Sequence, residues 1–216
     1  MKTFFLLFSL LAIMLAAYPF IKPSEDKGMV EGLPWQITVL NDGTTEVFGI
    51  HIGSSQLADA IEILGNDMDL AVIAASDETG SLEMYYGHYR AGLLSGKLVL
   101  QTDTPEQKIK SLREHAVSSE YMASGQAKKY TLSTDDLPLI LEQRITGLTF
   151  IPTVNLDEAV ILARFEEPEQ RVQSGDVVHY LYPDKGLHIA LSEHAKEVLQ
   201  YVAPEHFQQL VQPLLK

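Results

Sequence analysis

Hydrophobic positions in this chain follow three rhythms: continuous, helical and alternating. From Phe4 to Ile21 they are continuous, 18 residues without a charge and with Ser9 as the clearly polar side chain. At about 1.5 Å per residue such a helix spans roughly 27 Å, close to a thin hydrocarbon core. Two readings stay open. In one the stretch is an uncleaved anchor, with Tyr18 at the membrane interface and Pro19 and Pro23 ending the helix. In the other it is a cleaved export signal, with Lys2 as the basic start and Ala16-Ala17 as the small pair, although Leu15 occupies the −3 position. A terminal segment apolar on every side does not read as a core helix. Residues 1–22 are therefore expected to be a signal anchor or signal peptide, and the polar, Pro- and Gly-bearing residues 23–33 a tether.

Beyond the tether the other two rhythms alternate. Residues 35–40 and 45–50 flank Asn41-Asp42-Gly43-Thr44 and predict a hairpin. Leu57, Ala60, Ile61 and Leu64 form one helical stripe, with Ser54 or Ser55 as its cap and Gly65 as its stop. Four strand-like runs follow at 70–75, 81–86, 88–94 and 97–101, with breaks at 77–80 and at Ser95-Gly96. The same sequence of signals recurs later. Asn155 can cap a helix carrying Leu156, Ala159, Val160 and Ala163, with Pro168 beyond it, and runs at 169–173, 177–182, 187–191 and 197–202 follow. Residues 47–102 and 147–202 line up at equal length: VFGI with LTFI, LADAIEIL with LDEAVILA, LEMYYG with VHYLYP, KLVLQ with KEVLQ. The expected fold is α+β: after an N-terminal hydrophobic helix, two tandem repeats, each a helix packed on a four-stranded antiparallel sheet. The first repeat would occupy residues 34–103 and the second 146–203. Residues 104–145 read as a helical connector, opened by the capping box of Thr104-Pro105-Glu106-Gln107, with a second short helix capped by Thr134. Residues 204–216 read as a C-terminal helix with Phe207, Leu210, Val211 and Leu214 on one side.

Alternation assigns the faces of these sheets. Leu82, Met84, Tyr86, Leu98 and Leu100 in the first copy are expected to be core, as are Val178, Tyr180, Tyr182, Leu187, Ile189 and Leu191 in the second. The opposite faces carry Glu83, Tyr85, Lys97 and Val99, and then His179 and His188. A mixed polar and aromatic face of this kind is either wetted or used to bind a partner. These residues are the candidate partner-binding positions.

Composition narrows the chemistry. With 16 Lys+Arg against 29 Asp+Glu the formal charge is −13, which repels phosphate backbones, so no nucleic-acid partner is expected. Cysteine is absent, which removes disulfides, thiolate nucleophiles and a lipoprotein anchor after the leader. The seven histidines form no H-E-x-x-H pattern; His179 and His188 could meet on adjacent strands, but two ligands do not make a metal site. There is no G-x-S-x-G elbow and no P-loop. The acidic doublets Asp67/Asp69, Asp135/Asp136 and Glu166/Glu167 read as solvated surface. The reading is of a non-enzyme without cofactor or metal.

The helix LDEAVILARF, the Glu167-Pro168 turn, the aromatic strand HYLYP and the strand KEVLQYV resemble the β-lactamase-inhibitor-protein-like fold. That superfamily includes the SmpA/OmlA-type domain of a small lipoprotein in the bacterial outer-membrane barrel-assembly machinery. Ser54-Ser55 before LADAIEILG is similar to the helix entry and exit of that domain. The chain departs from it in lacking the lipobox cysteine and in having Phe165-Glu166 where a helix-ending glycine is expected. The resemblance implies a protein-contact module. The expected function is a non-enzymatic bacterial envelope protein, membrane-associated through Phe4 to Ile21 or released to the periplasm. Its partner would be another envelope protein, in envelope assembly or in hydrolase inhibition. The alternative is a periplasmic module that binds a small ligand or lipid in the groove between the repeats.

Overall fold

The computed structural model describes residues 31–215. The expected leader, N-terminal helix and most of the tether lie outside the described residues. Among the described residues no helix is long and apolar enough to cross a membrane.

Among the described residues thirteen strands and five α-helices follow one another. A short N-terminal sheet joins β1 (Thr38–Val39), β2 (Thr45–Val47) and β3 (Ile50–Ile52) in sequence order. Its first turn is the expected Asx-Gly turn, in which Asp42 Oδ1 accepts from the Thr44 amide at 3.0 Å and the Thr44 hydroxyl at 2.6 Å. Helix α1 (Leu57–Leu64) leads to β4 (Asp69–Ala75), β5 (Ser81–Ala91) and β6 (Leu94–Thr102). Helix α2 (Glu106–Glu114), strands β7 (Ser118–Tyr121) and β8 (Ala127–Thr131) and helix α3 (Leu137–Leu141) make the connector. Then come β9 (Ile145–Pro152), α4 (Glu158–Phe165), β10 (Gln170–Ser174), β11 (Val177–Tyr182), β12 (Leu187–Ser192), β13 (Val198–Val202) and α5 (Phe207–Val211).

All strands from β4 onward belong to one ten-stranded antiparallel sheet of order β7-β8-β4-β5-β6-β9-β13-β12-β11-β10. The α+β class and the antiparallel pairing are those expected, but the two sets of strands share a single sheet instead of forming separate four-stranded ones. The first set has three strands, because the runs at 81–86 and 88–94 are one strand. Between Tyr86 and Tyr89 the register to β6 slips, Tyr86 facing Leu98 and Tyr89 facing Gly96, so a bulge at Gly87-His88 absorbs the extra residue. The real turn is Gly92-Leu93, where Gly92 has φ +61°. Ser95-Gly96, the expected break, lies in the ladder. A Cβ on Gly96 would come within 2.5 Å of the Ile151 carbonyl oxygen and of the Phe150 ring, so glycine serves close packing here, not a turn.

The connector is not purely helical. Its β7–β8 hairpin pairs with β4 and forms one edge of the sheet. Every residue of β7 is exposed, so no apolar alternation announces it. Caps also shift. Asp59 Oδ2 accepts from the Gln56 amide at 2.8 Å at the start of α1, and Asp157 Oδ1 accepts from the Val160 amide at 2.8 Å at the start of α4, in place of the serines and Asn155. With α4 starting later, Ile161 and Phe165 are its buried residues while Ala159, Val160 and Ala163 are exposed. Ser133, not Thr134, caps the turn before α3, its hydroxyl accepting from the Asp135 amide at 3.3 Å.

One face of the sheet carries the main core. Leu82, Met84, Tyr86, Leu98, Leu100, Leu148, Phe150, Ile189, Leu199 and Tyr201 are buried there against residues of β2–β3 and of the first four helices. Phe48, at φ +55°, is the keystone where the two sets of strands meet, with ring centroids 5.5 Å from Tyr89, 5.5 Å from Phe150 and 5.7 Å from Tyr201. Both eight-residue helices α1 and α4 end on a residue of positive φ, Gly65 at +94° and Glu166 at +71°. Each of these carbonyls accepts from a sheet tyrosine: Tyr86 Oη to Gly65 at 2.9 Å, Tyr182 Oη to Glu166 at 3.0 Å. On the opposite face α5 covers one end of the sheet, where Phe207 and Val211 bury Leu181 beside Val172 and Val202.

Candidate functional site

The open part of that opposite face is the candidate site. Side chains alternate along β4, β5, β6 and β9, so Ala71, Ile73, Glu83, Tyr85, Lys97, Val99 and Ile151 all point away from the core. Tyr85 sits directly across from Val99 on β6 and from Asp69 on β4. Met122 and Lys129 of the β7–β8 hairpin close the near side, giving a groove of about 390 Å³. Its floor is aliphatic and its rim is charged. Glu83, Tyr85, Lys97 and Val99, four of the sequence candidates, all line it.

Electrostatics differ around the rim. Lys129 Nζ lies 3.3 Å from Asp69 Oδ2, a partly exposed pair of small energetic weight. Glu83 is half-buried. Burial pushes its carboxyl above the ordinary range, opposed by the Ser81 hydroxyl that donates to Oε1 at 2.7 Å. Lys97 is exposed and forms no ion pair among the described residues. A partner approaching this face meets an aliphatic floor with one tyrosine, the ammonium of Lys97, unpaired among the described residues, and a carboxyl at Glu83 whose charge burial disfavours.

His179 and His188 lie on the same face but not in this groove, since β9 and β13 intervene. They are buried, 7% and 5% exposed, and they meet as the adjacent-strand spacing anticipated. His179 Nδ1 is 2.8 Å from His188 Nε2, and His188 Nδ1 is 2.9 Å from Gln200 Oε1. With the amide oxygen of Gln200 as acceptor, His188 donates from Nδ1 and receives a proton donor from His179 at Nε2. His188 is then neutral, with Nε2 as its acceptor. Burial holds both below the ordinary histidine range, for His188 against the hydrogen bond to Gln200, which acts the other way.

His88 opens on a separate hollow of about 200 Å³ beside Asp67 and Asp69. No hydrogen bond or ion pair joins it to either carboxylate among the described residues. No group of three or more His, Asp or Glu side chains among the described residues is arranged to hold a metal ion. The participation of Met122 and Lys129 in the groove had no signal in the sequence, because it depends on which strand the connector hairpin joins.

Among known proteins, no family model matches the chain, and no curated protein or solved structure is significantly similar to it.

Proposed function

We propose that this chain is a non-enzymatic envelope protein whose body lies outside the cytoplasmic membrane and docks another envelope protein on the open outer face of its sheet. The observation that carries the reading is the convergence of Glu83, Tyr85, Lys97 and Val99 on one groove. A rigid sheet that presents an aromatic residue, aliphatic floor and flanking charges has the composition of a contact surface. The second set of strands supplies an internal comparison. Val172, His179 and Leu181 occupy there the places that Ala71, Glu83 and Tyr85 hold in the first set, if the two tyrosine-to-helix hydrogen bonds are superposed. Over Val172 and Leu181 lies helix α5. The corresponding apolar surface of the first set has no such cover among the described residues.

The paired helix ends, Gly65 with Tyr86 and Glu166 with Tyr182, also support a duplicated unit of the kind implied by the β-lactamase-inhibitor-protein-like resemblance. Assembly of envelope complexes and inhibition of a secreted hydrolase are the two roles such a module would serve. The inner junction between the two sets of strands is filled by the rings around Phe48, which favours a protein partner over a ligand held between the repeats.

Crosslinking in intact cells followed by recovery of the full chain tests this. A stoichiometric envelope protein is expected, with recovery reduced about tenfold or more by Tyr85→Ala, the size of loss typical of a buried aromatic anchor. Lys97→Glu is expected to weaken it further. Recovery of the bare monomer alone would end the proposal.

A further inference from the structure

On the core-bearing face, beside the start of α4, the sheet leaves a second hollow of about 650 Å³ that the reading above does not use. Its apolar wall is Leu156, Val178 and Leu191, and five carboxylates line it: Asp157, Glu158, Asp176, Glu193 and Glu197. No lysine or arginine lines it. Two of the carboxylates are already engaged, Asp157 as the cap of α4 and Glu158 with Arg171 Nη1 at 2.7 Å.

Glu197 is different. It is 3% exposed, yet its Oε2 has no hydrogen-bond partner, and no cation among the described residues pairs with it. A carboxylate taken out of water without a partner is costly, and native proteins seldom keep one without a reason. The group that would repay the cost is a cation brought from outside. A hard divalent ion needs several oxygen ligands at about 2.3–2.6 Å, and no set of three acidic or histidine side chains among the described residues is so arranged. A cation on an aliphatic stem fits both halves of the hollow, its head at Glu197 and its methylenes along Leu156, Val178 and Leu191.

We infer that the Glu197 hollow is a binding site for a primary ammonium group carried on an aliphatic chain, either a free amine or the side chain of a lysine. The site is independent of the outer-face groove, because the two lie on opposite faces of the sheet.

The test uses the full chain in detergent micelles, with 1,5-diaminopentane and N-acetyl-lysine methylamide as probes and 1-pentanol and calcium chloride as controls. Backbone amide shifts of residues 191–198 report binding. One or both amines should move these resonances, saturating at low-millimolar concentration or tighter, and pentanol should not. Glu197→Gln should weaken binding about tenfold or more, a change of about 1.4 kcal/mol. Its melting temperature without ligand should equal or exceed that of the unsubstituted chain, because an unpaired buried charge has been removed. Glu193→Gln, at the exposed rim, should weaken binding by a smaller factor. Binding of the diamine alone points to a free amine, and of the lysine amide alone to a protein partner. The inference is overturned if neither amine binds, if binding survives Glu197→Gln, or if calcium occupies the site in a Glu197-dependent way. Should Glu197→Gln fail to fold, unchanged binding in Glu193→Gln overturns it instead.

Discussion

Glu166 ends α4 at φ +71° and ψ −173°, a conformation that suits glycine and strains any residue with a Cβ. Its carboxylate meets Lys185 Nζ at 2.9 Å, and the same ammonium reaches the Phe165 carbonyl at 3.0 Å, but the pair is solvent-exposed. Relief of backbone strain should therefore outweigh loss of the pair. Glu166→Gly is expected to raise the melting temperature by about 2–4 °C, as read by calorimetry. The histidine pair gives a second residue-level prediction. In the unfolded chain both imidazoles take a proton as pH falls through about 6.5, whereas burial opposes protonation in the folded protein. Stability is thus fully present above that pH and is lost as pH falls toward the lower folded-state values. Glu83, its folded value raised, acts in the opposite sense: its burial penalty is present at neutral pH and is relieved as pH falls through that raised value. Thermal melts between pH 7.5 and 5.5 should show the histidine loss, and His188→Gln, which keeps a hydrogen-bonding end without titrating, should flatten it. An equal slope in both proteins would show that the pair is not its source.

At the level of elements, the two helix-end hydrogen bonds are the matched feature. Burial pushes the phenols of Tyr86 and Tyr182 up to about 12, so both stay proton donors at any ordinary pH. Tyr86→Phe and Tyr182→Phe should each cost about 1 kcal/mol in denaturant unfolding, the usual net weight of one such bond. Gly96→Ala should cost more, about 3 kcal/mol, because its Cβ has nowhere to go. Much at this level was legible in sequence. The Asx-Gly turn and the inward sets of β5, β6, β11 and β12 follow from turn chemistry and from period-two alternation. Helix α2 forms where expected without the expected cap: Pro105, not Thr104, holds the cap position, no side chain caps it, and Thr104 Oγ1 meets Thr102 Oγ1 at 2.7 Å. What escaped had no local cause. Gly96 resembles a turn glycine until the Phe150 ring of a distant strand is placed over it, and β7, exposed on every residue, carries no periodicity to read. The stripe of α4 slid because Asp157, not Asn155, captured the free amide of the first turn. The candidate groove was half legible: alternation put Glu83, Tyr85, Lys97 and Val99 on one face, while Met122 and Lys129 reach it only through the hairpin's pairing with β4. Nothing in the run SEHAKE distinguishes Glu197 from its solvated neighbours, since its burial is conferred by the sheet beneath it.

At the scale of the molecule, strand order matters more than strand content. β9 opens the second set of strands, yet it lies between β6 of the first set and β13 of its own. The pairing of Leu98 with Phe150 and of Leu199 with Phe150 makes one residue a partner in both ladders. Local periodicity is silent on such neighbour choices, and this is why separate sheets were the natural expectation. Parting the halves would break the β6–β9 ladder, leaving one side of each strand unpaired, and open the cluster around Phe48. Urea unfolding followed by far-ultraviolet dichroism and by Trp35 fluorescence should accordingly trace one superimposable transition, and two resolved steps would contradict it. A protease nick at the exposed Ser124-Gly125 turn, far from that seam, should leave two fragments that travel together through gel filtration and part only in denaturant. The molecule is in this respect a woven article, not a hinged one: severing the thread between its halves does not release them, so any movement that serves binding must come from its edges.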